Sequence, residues 1–109
     1  MDVAIPLAMS ATGEYVPGDD RQLDPEIKPY VQLLRKHGVE TFESCQGGNG
    51  HAYPEPTIRF HGGRAEGFRA LAVAQQHGLP VSAIRRIWTI DDGEPTGPHW
   101  EMTFTALGR

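Results

Sequence analysis

Apolar and polar positions recur along this chain with two periods, and the switches between them mark out six elements. Ile27, Tyr30, Val31 and Leu34 fall at helical spacing, and His37-Gly38-Val39 supplies a stop with a left-handed glycine and an apolar residue beyond it. Asp24-Pro25 reads as an N-cap followed by proline at the first helical position. Pro29 would break a helix interior, so a tight first turn over 25–28 is expected before a regular helix over 29–37. Val39–Cys45 and Thr57–His61 then alternate as strands. In the first, Phe42 opposes Thr41, Glu43 and Cys45; in the second, Ile58 and Phe60 oppose Thr57, Arg59 and His61. Arg64–His77 is the strongest helix, with a stripe at Ala65, Phe68, Leu71, Ala72 and Gln75, and it stops at His77-Gly78-Leu79. Ile84–Asp91 and His99–Ala106 are the last strands, joined by a long loop over 92–98. Trp100, Met102 and Phe104 share the face opposite Glu101, Thr103 and Thr105.

The order α-β-β-α-β-β, with two amphipathic helices and four amphipathic strands, predicts an α+β two-layer sandwich. A mainly antiparallel four-stranded sheet carries both helices on one face. Moving the first strand of a ferredoxin-like β-α-β-β-α-β arrangement to the C-terminus produces this order, so a circular permutation of it is the expected topology. The two helix–strand–strand units, each helix ending in His-Gly, suggest an internal architectural repeat. The expected core is Val31, Leu34, Phe42, Ile58, Phe60, Phe68, Leu71, Trp100, Met102 and Phe104. The opposite face is expected to carry Thr41, Glu43, Cys45, Thr57, Arg59, His61, Glu101, Thr103 and Thr105, with Arg86 and Trp88 unassigned. Residues 1–23 read as an N-terminal arm and 24–109 as a single domain.

Composition narrows the setting. The chain has 109 residues, 39% hydrophobic and 22% charged, enough for one core without staples. Its net charge of −4 argues against non-specific binding to nucleic acid. No apolar run reaches the length needed to span a bilayer, and the segment Val3–Met9 lacks the basic flank of a signal peptide. A single cysteine precludes an internal disulfide and fits a cytoplasmic location.

The chemistry-bearing residues concentrate in Glu43-Ser44-Cys45-Gln46-Gly47-Gly48-Asn49-Gly50-His51, where a strand runs into a glycine-rich loop. Cys45 with His51 as its base is the candidate catalytic pair. Glu43, Gln46, Gly47, Gly48, Asn49, Arg59 and His61 are the candidate ligand-binding residues. The loop leads into a strand, so it lacks the helix dipole of a phosphate-binding loop. Cys45, His51 and His61, with Glu43 in reserve, offer metal donors, but Cys-x5-His is not a standard pair, and no metal site is assigned. Glu43 and Arg59 are expected to form a cross-strand ion pair. His37 and His77 are expected to be helix-end residues, and His99 receives no role.

The stretch Thr41-Phe42-Glu43-Ser44-Cys45-Gln46-Gly47-Gly48, with Gly50-His51 and Pro56-Thr57-Ile58-Arg59-Phe60, resembles a group of small phage and bacterial proteins with a Ser-Cys-Gln-Gly motif between two strands. That resemblance implies a location for the site and a phage or prophage setting rather than a reaction. A fainter resemblance, at Ser44, Cys45 and Gly47, is to the wybutosine-synthesising tRNA methyltransferase family; Gly48 stands where that family has a basic residue, and its activity is not carried over.

The function expected on this basis is a small ligand-binding domain for a polar or anionic molecule, a nucleotide-derived one included. The alternatives are a thiol-dependent enzyme with Cys45 as nucleophile, and an interaction module that dimerises or binds a host protein through its open sheet face. No cofactor is indicated, and no membrane partner is expected.

Overall fold

Pro29 decides where the first helix begins. In the computed structural model, which describes residues 23–48 and 50–105, α1 runs Lys28–Lys36 and places Pro29 in its first turn. There the missing N–H leaves no intrahelical bond unmade. A turn precedes it, with the Lys28 N–H donating to the Asp24 carbonyl at 3.1 Å. Asp24 is therefore not the helix N-cap, a position held by Ile27; the Asp24 side chain is committed elsewhere. Apart from Leu23, which packs on the core, the N-terminal arm expected over 1–23 lies outside the described residues, as do Asn49 and residues 106–109.

Both helices stop by the same device. At the end of α1, Gly38 has a φ of 84° and donates to the Arg35 carbonyl, while Val39 donates to that of Leu34. At the end of α2 (Arg64–Gln76), Gly78 and Leu79 repeat those bonds to Gln75 and Ala74. Only a residue tolerant of the left-handed region closes this motif without strain. His37 and His77 each place Nδ1 against the carbonyl four residues back, at 3.0 and 2.9 Å, as expected of helix-end residues.

The strands are β1 (Thr41–Cys45), β2 (Thr57–Phe60), β3 (Val81–Asp91) and β4 (Glu94–Phe104). They form one sheet in the order β1-β2-β4-β3, with every pair antiparallel. This is the order and polarity of a ferredoxin-like sheet whose first strand has moved to the C-terminus, and the α+β class read from the sequence holds. Ile58, Phe60, Trp100, Met102 and Phe104 are buried against Ile27, Tyr30, Val31 and Leu34 of the first helical segment and Ala70, Val73 and Ala74 of α2.

Three expectations fail for identifiable reasons. The β1–β2 register shifts between Thr41 and Glu43, and this bulge exchanges Thr41 and Phe42. Thr41 faces α1 and accepts from Arg35 Nε at 2.6 Å, while Phe42 leaves the core and stacks on His61 at 4.3 Å. Helix α2 is also rotated from its expected stripe. Gly67, Ala70, Val73 and Ala74 face the sheet, and Phe68 is 60% exposed. Bulky rings on β2 and β4 already fill the gap, so the helix offers its smallest side chains. Finally, 92–98 is not a long loop. Asp92 and Gly93 take positive φ values of 56° and 79°, the signature of a two-residue hairpin turn, and β4 starts at Glu94. Pro95 and Pro98 are tolerated because β2 pairs only with residues 100–103 of β4, so among the described residues the outer part of β4 has an unpaired edge. The outer β3–β4 arm exposes Trp88 and Ile90.

The helix-to-sheet distance is set at Gly67. A methyl group there would overlap the Trp100 ring, which is held by a 2.9 Å bond from Nε1 to the Gly63 carbonyl and covered by the Arg86 guanidinium. Alanine would gain about 1 kcal/mol in helix propensity, but overpacking a pinned ring costs roughly 1–3 kcal/mol. Gly67→Ala is therefore expected to destabilise the protein by up to about 2 kcal/mol in denaturant titrations. Unchanged or increased stability would show that Trp100 is free to move.

Candidate functional site

Cross-strand register determines what the face away from the helices carries. Glu43 is paired with Arg59, Arg59 with Glu101, and Glu101 with Arg85, so charges of alternating sign cross all four strands in one row. Arg59 donates from Nε and Nη2 to Glu101 Oε2 at 3.2 and 3.1 Å, and from Nη1 to Glu43 Oε1 at 3.3 Å. Arg85 reaches Glu101 Oε1 at 3.6 Å. The expected Glu43–Arg59 pair is thus one link in a longer network. Tyr53 covers it, with its ring 5.1 Å from the Arg59 guanidinium and its hydroxyl near Glu43. Burial and then the Glu43 charge push the Tyr53 pKa up to about 12, which keeps the phenol a donor. All three guanidinium nitrogens of Arg59 are bonded to carboxylates, so Arg59 serves as the hub of the row.

Cys45 lies on the same face at the end of β1, opposite Thr57, and is 5% exposed. The loop 46–56 folds back over it, and Gly47 makes this possible. Its φ is 83°, and a Cβ there would fall 2.7 Å from backbone atoms of Glu55 and Pro56. The outgoing and returning chains therefore cross in direct backbone contact, which glycine alone permits. Gly48 donates to the Pro54 carbonyl and His51 to that of Gly48, both at 3.2 Å, closing a turn that brings the imidazole back toward the thiol. Asp24 arrives from the turn before α1. Its Oδ2 accepts from the Gln46 N–H at 3.1 Å, while Gln46 Oε1 accepts from the Glu26 N–H at 3.0 Å. This reciprocal clamp joins segments 20 or more residues apart. Donor atoms of Asp24, Cys45 and His51 consequently lie within 4.8 Å of one another, with His51 Nδ1 3.8 Å from Asp24 Oδ2.

A second polar cluster occupies the opposite end of the face. Phe42, His61, Thr89, Asp91, Thr96, Gly97, Pro98 and His99 line an open recess of about 400 Å³. His99 is 7% exposed, and among the described residues its buried Nε2 has no hydrogen-bond partner. Burial, then the Arg59 and His61 charges, hold its pKa below the usual imidazole value, whereas Glu43 and Asp91 oppose that shift.

The structure brings Cys45 and His51 together and places Gln46 in the clamp beside them. Gly47 and Gly48 shape the loop backbone, and Asn49 lies outside the described residues. Glu43 and Arg59 belong to the charged row. His61 is separated from the Cys45 end by the length of β2, roughly 13 Å at the usual strand rise, and lines the other cluster instead. Sequence reasoning missed Asp24, Tyr53 and His99. Asp24-Pro25 signalled only a helix entry; the alternation of His99 with Trp100 offered a signal for the face away from the helices.

No protein-family model, curated protein or solved structure matches the chain.

His99 makes stability depend on acidity. Its folded pKa is depressed below the ordinary 6.5, so in the window between the two values the unfolded chain binds the proton more readily. The contribution is fully present above about pH 6.5 and is lost as pH falls through the folded value. His99→Phe, compared with the parent chain, is expected to flatten this acid limb in thermal melts across pH 4–8 (~4–8, spanning the imidazole and carboxylate ranges). Parallel curves for the two proteins would refute the assignment.

Proposed function

We propose that the protein is a small-ligand-binding domain whose seat is the loop following Cys45 together with the adjoining sheet face away from the helices. The observation that supports this most strongly is the convergence of Asp24, Cys45 and His51 from three chain segments. The segments are tied by hydrogen bonds that do not use the thiol or the imidazole. Such pre-organisation by a supporting shell is what a binding site needs. The ligand is a polar one. Asp24 contributes a carboxylate to the seat, and Arg59 is neutralised by Glu43 and Glu101, so local electrostatics favour a neutral or cationic group over an anion.

A thiol-dependent enzyme is the second reading, supported by His51 standing beside Cys45 with Asp24 in contact. In a nucleophile–base–carboxylate relay, however, the outer members sit on opposite sides of the imidazole, roughly 7 Å apart. Here thiol and carboxylate are within 4.8 Å, a triangle rather than a line. That arrangement suits joint contact with one bound group better than proton relay.

A thermal-shift screen with nucleotides, polar amines, sugars and metal ions tests the proposal. Ligand-induced stabilisation that survives in His61→Ala and disappears in His51→Ala is the expected outcome. Stabilisation independent of His51 would place the seat elsewhere. Rapid alkylation of Cys45 near neutral pH, lost with His51→Ala, would favour the enzyme instead.

A further inference from the structure

Asp24, Cys45 and His51 combine one carboxylate, one thiol and one imidazole, the three donor types that hold zinc-class ions. Resting on the ligand-binding reading above, we propose that the group bound there is a soft divalent transition-metal ion of the zinc class. It would be held by Cys45 Sγ, a His51 ring nitrogen and an Asp24 carboxylate oxygen, leaving a fourth position open. Three features of the cluster support this.

The first is spacing. Donors around a tetrahedral zinc lie roughly 3.3–3.7 Å apart, given bonds of about 2.0–2.3 Å. Here the three donors are mutually within 4.8 Å, and His51 Nδ1 and Asp24 Oδ2 are at 3.8 Å. That pair is too far apart to hydrogen-bond directly, yet is separated by nearly the distance a shared ion imposes. Small side-chain rotations close the rest.

The second is the supporting shell. Metal-ligating carboxylates are usually held by further hydrogen bonds. The Gln46 N–H already donates to Asp24 Oδ2, and Gln46 is itself anchored through Oε1 to the Glu26 N–H. The Gly47 crossing and the 48–51 turn fix the approach of His51.

The third is selectivity. Cys45 is almost wholly buried while His51 and Asp24 keep side-chain exposures of 31% and 35%. The thiol is therefore shielded, while the imidazole and the carboxylate are both reached from solvent. A thiolate and an imidazole favour zinc, cobalt or copper over magnesium and calcium, which need oxygen donors. Binding displaces the thiol proton to solvent, so affinity rises with pH. Three protein donors and one free position form a centre that can receive a further small ligand.

Cobalt(II) and zinc(II) added to the full chain test this directly. Stoichiometric Co²⁺ is expected to give a near-ultraviolet thiolate-to-metal charge-transfer band, which added Zn²⁺ abolishes. Zn²⁺ is expected to raise the melting temperature, and Mg²⁺ is not. Cys45→Ser, a nearly isosteric change, removes the band. Asp24→Asn and His51→Ala each weaken Zn²⁺ binding by more than the roughly 10–100-fold typical of losing a supporting partner. His61→Ala leaves the band and the affinity intact, separating this site from the recess at the other end of the sheet. Circular dichroism of each variant confirms that the fold is retained. Absence of a thiolate band with folded protein overturns the metal proposal, as does a band that persists in Asp24→Asn and His51→Ala with unchanged Zn²⁺ affinity. If a non-metal ligand still stabilises the protein through His51, only the metal proposal falls. If neither metal nor any other ligand acts through His51, the binding reading falls with it.

Discussion

The register of β2 against β4 is the constraint on which the rest of the molecule hangs. Thr57–Phe60 lies opposite Thr103–Trp100, which puts Ile58, Phe60, Trp100 and Met102 beneath the helices. The same pairing sets Arg59 against Glu101 on the other side. Side chains alternate with a period of two, so a slip of one residue would drive the charged row into the core and expose the rings. The hydrophobic layer and the polar face are therefore one decision. Burying the apolar set fixes the geometry of the opposite surface, including the position of Cys45 across from Thr57.

From that register the site follows by a chain of local necessities. Cys45 ends β1 on the open face, and the chain must return from there to start β2 at Thr57. Antiparallel neighbours stand about 4.8 Å apart, so the base of the connecting loop is narrow. Glycine at 47 lets the two limbs touch where Glu55 and Pro56 return. Tyr53 then caps Arg59, and His51 meets Cys45. The glycines of the motif thus act on backbone geometry, and the chemistry rests with the side chains that this geometry gathers.

What the sequence disclosed and concealed divides along the same physical line. Element order, the two His-Gly stops and the sheet face of most residues were legible because periodicity and capping are local signals. Thr41 and Phe42 were misassigned because a bulge breaks the alternation from which faces are read, and it depends on the partner strand. Phe68 was misassigned because the rotation of α2 answers to Trp100 more than to its own apolar stripe. The Asp92-Gly93 turn carried a legible sign, but prolines beyond it suggested a loop; only the pairing shows that β4 continues there beyond the reach of β2. Cys45 and His51 could be grouped because they are six positions apart. Asp24 could not, because its place beside them depends on the tertiary clamp with Gln46.

Electrostatics explains why the ends of the face away from the helices, rather than its middle, have groups left to offer a ligand. In the central row each charge has its complement: Arg59 lies between Glu43 and Glu101, and Arg85 approaches the second oxygen of Glu101. A network so satisfied stabilises the sheet but has little left to offer a ligand. At the ends the accounting differs. Beyond one end, His99 keeps a buried nitrogen without a partner among the described residues, beside an open recess. At the other, a carboxylate and an imidazole stand too far apart for a hydrogen bond, next to a buried thiol. Groups held in place yet incompletely partnered are those that gain most from a third participant, because the protein has already met the cost of ordering them. The Cys45 end meets that condition with three donor types and a rigid mount, whereas the His99 end offers a single unpartnered atom. The physical case for function is therefore stronger where β1 ends.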